Sequence, residues 1–106
     1  MRKWRIEDSL ELYNVPGWGI NYFSINQDGN VSVSPRKAAG PEIDLKKVVD
    51  EAVRRDISLP LLIPFPEILD SRIEKLSDCF EKAGETYDYT GKYYCVYPVK
   101  VNQQRH

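Results

Sequence analysis

A lysine between two valines, Val99-Lys100-Val101, lies near the end of an almost continuously apolar run, Tyr93 to Asn102. An unpaired ammonium is costly to bury, so a lysine in such a run reaches solvent, pairs with an acid or gives up its charge. Two readings follow. In the first, the run ceases to be a strand at Pro98 and Lys100 stands exposed in a loop; periodicity alone favours this, because lysines are rarely buried. In the second, the lysine sits at the C-terminal mouth of a barrel strand. Desolvation there favours a neutral amine, the form that condenses with an aldehyde cofactor to give a Schiff base.

Other chemistry-bearing residues offer less. Cys79 and Cys95 have no CxxC spacing and fall in separate expected elements, so they read as small buried apolar residues. The single histidine, His106, rules out a His-rich metal site, and no metal ligands are assigned. Glu67 and Asp70 lie three apart on one expected helix and suit its positive N-terminus better than an acid pair. Trp18 and Tyr22 read as packing beside a hairpin. Arg105 and His106 are given no role.

Composition narrows the classes. The 106 residues hold 15 basic and 16 acidic side chains spread along the chain, for a formal net charge of −1. No concentrated positive field is present, which argues against nucleic acid as a partner. No apolar run approaches the roughly 20 residues needed to span a bilayer, and Met1 to Glu11 contains no signal-peptide core. A cytoplasmic location without membrane association follows by default. The length suits one small domain with a single core.

The elements that must position Lys100 can be read in order. Residues 1–16 form a charged lead-in, partly helical at most. Two runs, Ile20 to Ile25 and Val31 to Pro35, flank Gln27-Asp28-Gly29-Asn30, an Asp-Gly hairpin signal. Residues 36–43 read as a linker with turn chemistry. Asp44 then caps a helix to about Asp56, with Leu45, Val48, Val49, Ala52 and Val53 on one face. Leu61-Leu62-Ile63 suits a short buried strand among Pro60, Pro64 and Pro66. A second helix begins at Pro66 or Ser71, buries Ile73, Leu76, Phe80 and Ala83, and stops at Gly84. The Tyr93–Asn102 run then reads as a strand buried on both faces, as in a parallel sheet. Helix, strand, helix, strand from residue 44 onward is an α/β pattern, and the hairpin before it suggests a separate β domain.

The segment Tyr94-Cys95-Val96-Tyr97-Pro98-Val99-Lys100-Val101-Asn102-Gln103-Gln104-Arg105-His106 resembles the cofactor-lysine segment of biosynthetic arginine decarboxylases. So do Trp4, Tyr13 to Gly19, Tyr22-Phe23-Ser24-Ile25-Asn26, Asp44-Leu45 and Phe65-Pro66-Glu67-Ile68-Leu69, in that order, so the likeness covers essentially the whole chain. One departure is Pro64, where the family tends to carry arginine. Proline removes a charge and a backbone donor there.

The resemblance implies that Lys100 binds pyridoxal phosphate and is the catalytic lysine of an enzyme converting L-arginine to agmatine on the route to polyamines. It implies a fold-type III, alanine racemase-like (β/α)8 barrel with an added β domain, a homo-oligomer, and an association with magnesium. On that pattern residues 1–35 belong to the β domain, 36–43 link, and 44–106 begin the barrel. The chain by itself is then expected to be incomplete, inactive and poorly folded, since the phosphate-binding loops and the acids that recognise guanidinium are missing. Two other classes are weighed: a barrel decarboxylase of another basic amino acid, and a non-catalytic α+β interaction domain in which Lys100 is simply exposed.

Overall fold

The computed structural model describes residues 1–98 and Lys100. They are α/β in class and fall into two compact units, Met1–Ile68 and Leu69–His106.

In the first unit, helix α1 (Ile6–Leu12) starts where Arg5 and Asp8 exchange bonds. The Arg5 amide donates to the Asp8 carboxylate at 2.7 Å, and the Asp8 amide donates to the Arg5 carbonyl at 3.2 Å. Arg2 adds a two-pronged bond to Asp8, at 2.6 and 2.7 Å, and Asp8 titrates below the usual carboxylate range mainly because of that guanidinium. Helix α2 (Val15–Gly19) follows at once. Its sequence, Val-Pro-Gly-Trp-Gly, has poor helix propensity. Left-handed residues bound it, Asn14 before and Ile20 after, both at φ 48°. Gly19 is buried, and a Cβ there would stand 3.2 Å from the Phe23 Cβ.

Strands β1 (Phe23–Ile25) and β2 (Val31–Val33) pair antiparallel with Ser24 opposite Ser32. The expected hairpin is present, although β1 begins three residues later than Ile20 because Ile20 and Asn21 both turn through positive φ. Gly29 at φ 78° carries the reversal, and the Asn26 side chain accepts from the amides of Asp28 and Asn30. A side chain at Gly29 meets nothing within 4 Å, so only the backbone objects to one. Gly29→Ala is expected to destabilise the sheet by about 1–2 kcal/mol, the left-handed penalty for an L-residue. Urea titration of both proteins checks this, and an unchanged midpoint would contradict it.

The stretch read as a linker does more than link. Lys37–Ala39 forms a 3-10 turn, and Ile43–Asp44 forms a third strand, β3, on the far side of β2. Its register sets Asp44 opposite Ser32 and Ile43 opposite Val33. The central strand is covered on both faces: adjacent residues of a strand point oppositely, yet Ser32 and Val33 are both buried. Val33, Val15 and Tyr22 form the buried apolar core, and Ser32 satisfies its hydroxyl by donating to Glu42. Lys37 lies 4.6 Å from the Tyr22 ring centre.

Helix α3 (Leu45–Arg54) packs against β2 and β3, and the Asp44 carboxylate accepts from the Lys47 amide at 3.2 Å, as the cap reading requires. Its apolar stripe is half-buried at Leu45, Val48, Val49 and Ala52, while Val53 is exposed. Glu51 pairs with both Arg54 and Arg55 at the C-terminal end.

Leu61-Leu62-Ile63, expected to be a buried strand, is irregular, and Leu62 is exposed. A strand needs neighbours to receive its amides, and the three prolines around this one supply no donors. Pro64 lies exposed in the same irregular stretch.

Helix α4 (Pro66–Thr86) starts at the earlier of its two candidate positions and runs two residues beyond Gly84. The stop is at Asp88, which takes the left-handed turn at φ 52°, while Gly84 stays helical and its carbonyl accepts from the Tyr89 amide at 2.8 Å. Its expected inner face is uncovered: Ile73, Leu76, Phe80 and Ala83 are all exposed.

Candidate functional site

Lys100 is exposed. The residues leading to it, Tyr93 to Pro98, are irregular and unpaired, with Tyr94 72% and Val96 84% exposed. This corrects the expectation of a strand buried on both faces. The cause is physical: a parallel strand of β-formers is stable only between strands that accept and donate along its length, with helices over both faces. Val99 and residues 101–106, which complete the lysine motif, lie outside the described residues.

One contact anchors the start of this run. The Tyr93 ring stacks on Phe80 of α4, with centres 4.2 Å apart and planes 8° from parallel. The nearby Cys95 thiol holds the Tyr93 phenol above its ordinary pKa. Beside this stack an open hollow forms at the C-terminal end of α4, lined by Phe80, Gly84, Tyr87, Tyr89 and Tyr93 among others, and not by Lys100. Cys79 and Cys95 are free and exposed, contrary to the buried reading. Both belong to the face of α4 or the run after it that lacks a covering layer. Glu67 stands in the first turn of α4, as the dipole reading had it, while Trp18 meets Phe23 at 5.4 Å between ring centres and donates to the Tyr13 carbonyl, a packing role.

A second polar cluster went unread in the sequence. Asn30 and Asn26 each donate to the same Asp44 oxygen, at 3.0 and 2.9 Å, while the other oxygen caps α3. Two asparagines flanking an Asp-Gly turn were the available signal, but their common acceptor lies on β3, 14 residues beyond Asn30. The donors, Asn30 foremost, bring Asp44 down to about 2. Every oxygen has a structural task, so the cluster is a clasp between hairpin and helix.

The clasp gives a signed acid dependence. The folded pKa of Asp44 lies below its ordinary 3.8, so its contribution to stability is complete above about pH 4 and is lost as pH falls toward 2. Asp44→Asn is expected to flatten the acid limb of stability in that window. Carboxyl NMR titration checks the site directly, and a midpoint at 3.8 would contradict the clasp.

Among the described residues, no group of three or more His, Cys, Asp or Glu side chains is placed to hold a metal ion. No helix among them is long and apolar enough to cross a membrane.

The described residues therefore define an α/β segment with a short antiparallel sheet, a long uncovered helix and an accessible lysine at the end of an apolar run. No protein-family model matches the chain. Its relatives are clear nonetheless. It is 56% identical over 105 residues to the biosynthetic arginine decarboxylase of Phocaeicola vulgatus, covering 99% of this chain and 16% of the relative. The enzyme of the same name from Bacteroides thetaiotaomicron is 57% identical with the same coverage. That from Gloeobacter violaceus is 52% identical over all of this chain and 16% of its own length. Over nearly its whole length the chain is thus similar to biosynthetic arginine decarboxylases, and it spans about one-sixth of those relatives' length.

Proposed function

We propose that this chain is the lysine-bearing segment of a pyridoxal-phosphate enzyme that converts L-arginine to agmatine and carbon dioxide, a step toward putrescine and spermidine. The observation that carries the reading is identity of 56% and 57%, over 99% of the chain, to proteins named biosynthetic arginine decarboxylase. The Tyr97-Pro98-Val99-Lys100-Val101-Asn102-Gln103 motif supports placing the cofactor at Lys100.

An aldehyde cofactor first requires an accessible primary amine, and the exposed Lys100 meets that requirement. Pyridoxal phosphate supplies an electron sink for the pair left behind when the substrate carboxylate departs. The chain's own part is to hold the cofactor at Lys100 and to release it to the substrate amine. On this reading residues 44–106 open a fold-type III barrel, residues 1–35 belong with a β domain, and 36–43 join them. Helix α3, the irregular Leu61–Ile63 stretch, α4 and the Tyr93 run have the order such a barrel uses. The parent enzyme is a cytoplasmic homo-oligomer in the same reading, and magnesium receives no residue in this segment.

The test is substrate preference of the enzyme carrying this segment. Carbon dioxide release from L-arginine is expected to exceed that from ornithine, lysine and diaminopimelate by on the order of a hundredfold or more in kcat/KM. Preference for any of the other three would move the enzyme to a different decarboxylase. No release from any of them would leave an interaction domain.

A further inference from the structure

The tip of the hairpin holds a peptide linkage that can rearrange without any partner. Asp28 is followed by Gly29, and no other aspartate and no asparagine in the sequence precedes a glycine. The amide nitrogen after an aspartate can attack that side chain, and glycine, with no Cβ, hinders its own nitrogen least. Gln27, Asp28 and Gly29 are all exposed, and a Cβ at Gly29 would meet nothing within 4 Å.

The turn itself restrains this reaction. The Gly29 amide donates to the Asn26 carbonyl at 3.0 Å, so the nucleophile is engaged while the turn is closed. The Asn26 side chain accepts from the Asp28 amide at 3.1 Å and from the Asn30 amide at 3.0 Å. That same side chain, with the side chain of Asn30, donates to Asp44. Asn26 therefore joins the turn to the clasp between hairpin and helix.

We propose that Asp28–Gly29 is a site of spontaneous aspartate isomerisation, gated by opening of the turn that Asn26 holds, and that the rearranged linkage releases Asp44 from its asparagine donors. The Gly29 nitrogen bonds to Cγ of the Asp28 carboxyl and loses its proton, a carboxyl oxygen leaves as water, and a five-membered imide closes. Water then adds to one of the two imide carbonyls. Addition at Cγ breaks the new bond and restores the original chain. Addition at the backbone carbon breaks the old peptide bond, so the chain now runs through the Asp28 side chain. One water leaves and one enters, and nothing is oxidised or reduced. The β-linked chain has an extra backbone carbon between residues 28 and 29. The amides of Asp28, Gly29 and Asn30 then no longer all meet Asn26, and the Asn26 side chain loses its aim at Asp44. None of this depends on a cofactor at Lys100.

The enzyme carrying this segment is held for weeks at neutral pH and physiological temperature, then digested. Electron-transfer fragmentation of the peptides distinguishes the two linkages. β-Linked aspartate is expected to accumulate at Asp28 and at no other aspartate of the segment. A free peptide of residues 23–33 gives the ungated rate, and the enzyme is expected to be slower by on the order of tenfold or more, because several hydrogen bonds must open first. Asn26→Ala is expected to speed conversion in the enzyme by on the order of fivefold, the added opening when one ordinary hydrogen bond is lost. The peptide comparison stands whether or not that variant folds. Amide exchange across residues 43–48 reads the clasp, and in the aged enzyme it is expected to quicken by on the order of fivefold in converted molecules. Aged Asp28→Glu, which would have to close a six-membered ring, is expected to show neither conversion nor faster exchange. An enzyme that stays unconverted at Asp28 while the peptide converts overturns the site. Conversion at the peptide's rate overturns the gate. Conversion that leaves exchange at residues 43–48 unchanged overturns the release of Asp44.

Discussion

Replacing Lys100 with alanine in the enzyme that carries this segment is expected to abolish covalent cofactor attachment and lower decarboxylation by on the order of 10⁴-fold or more, the scale seen when a covalent catalytic group is removed. The proposed task of Lys100 is attachment and exchange, and alanine has no nitrogen to perform it. Lys100→Arg separates chemistry from charge, because a guanidinium keeps the charge but is not a free amine. Both substitutions are expected to lose the cofactor's absorbance alike. The fold should be untouched, because Lys100 is exposed and lies outside every helix and strand of the sheet unit. Retained activity in either variant would remove Lys100 from the mechanism.

The second large effect is on folding. Val33 has no exposed surface and ends β2, the middle strand of the sheet, opposite Phe23 on one side and Ile43 on the other. Val33→Asp puts a carboxylate where water is excluded, at a cost on the order of 4 kcal/mol or more. Typical domains hold about 5–15 kcal/mol in total, and in this unit only Val15, Tyr22, Val33 and Pro35 bury apolar side chains. The three-stranded sheet is therefore expected to unfold, read as loss of dispersed amide shifts for residues 23–44. Val33→Ala, a smaller truncation, is expected to cost about 2 kcal/mol and leave the sheet formed. A Val33→Asp protein with wild-type urea midpoint would show that the core lies elsewhere.

What could be read from the sequence was local. The Asp28-Gly29 turn declares itself because glycine takes φ 78° freely, and Asp44 declares the start of α3 because a carboxylate caps the Lys47 amide. What escaped depended on distant partners. Strand β3 is two residues long, too short for any periodicity, and exists because Ser32 and Val33 accept it as a neighbour. Helix α2 contains Pro16, Gly17 and Gly19, against propensity, and the positive-φ residues at its two ends hold it in place. Leu61–Ile63 and Tyr93–Pro98 have the composition of buried strands, yet no strand among the described residues pairs with them. Cys79, Cys95 and the apolar side of α4 were assigned to an interior for the same reason, and they face solvent. Lys100 was legible by motif, not by geometry. Its neighbours in sequence identify it, while its surroundings in the described residues do not yet enclose it.

The placement of the cofactor at Lys100 is tested most directly by trapping it. The enzyme carrying this segment is incubated with pyridoxal phosphate, reduced with borohydride, digested and mapped by mass spectrometry. One pyridoxyl group on the Lys100 peptide is the predicted result. A group on another lysine, or none on an enzyme that still decarboxylates arginine, would contradict it.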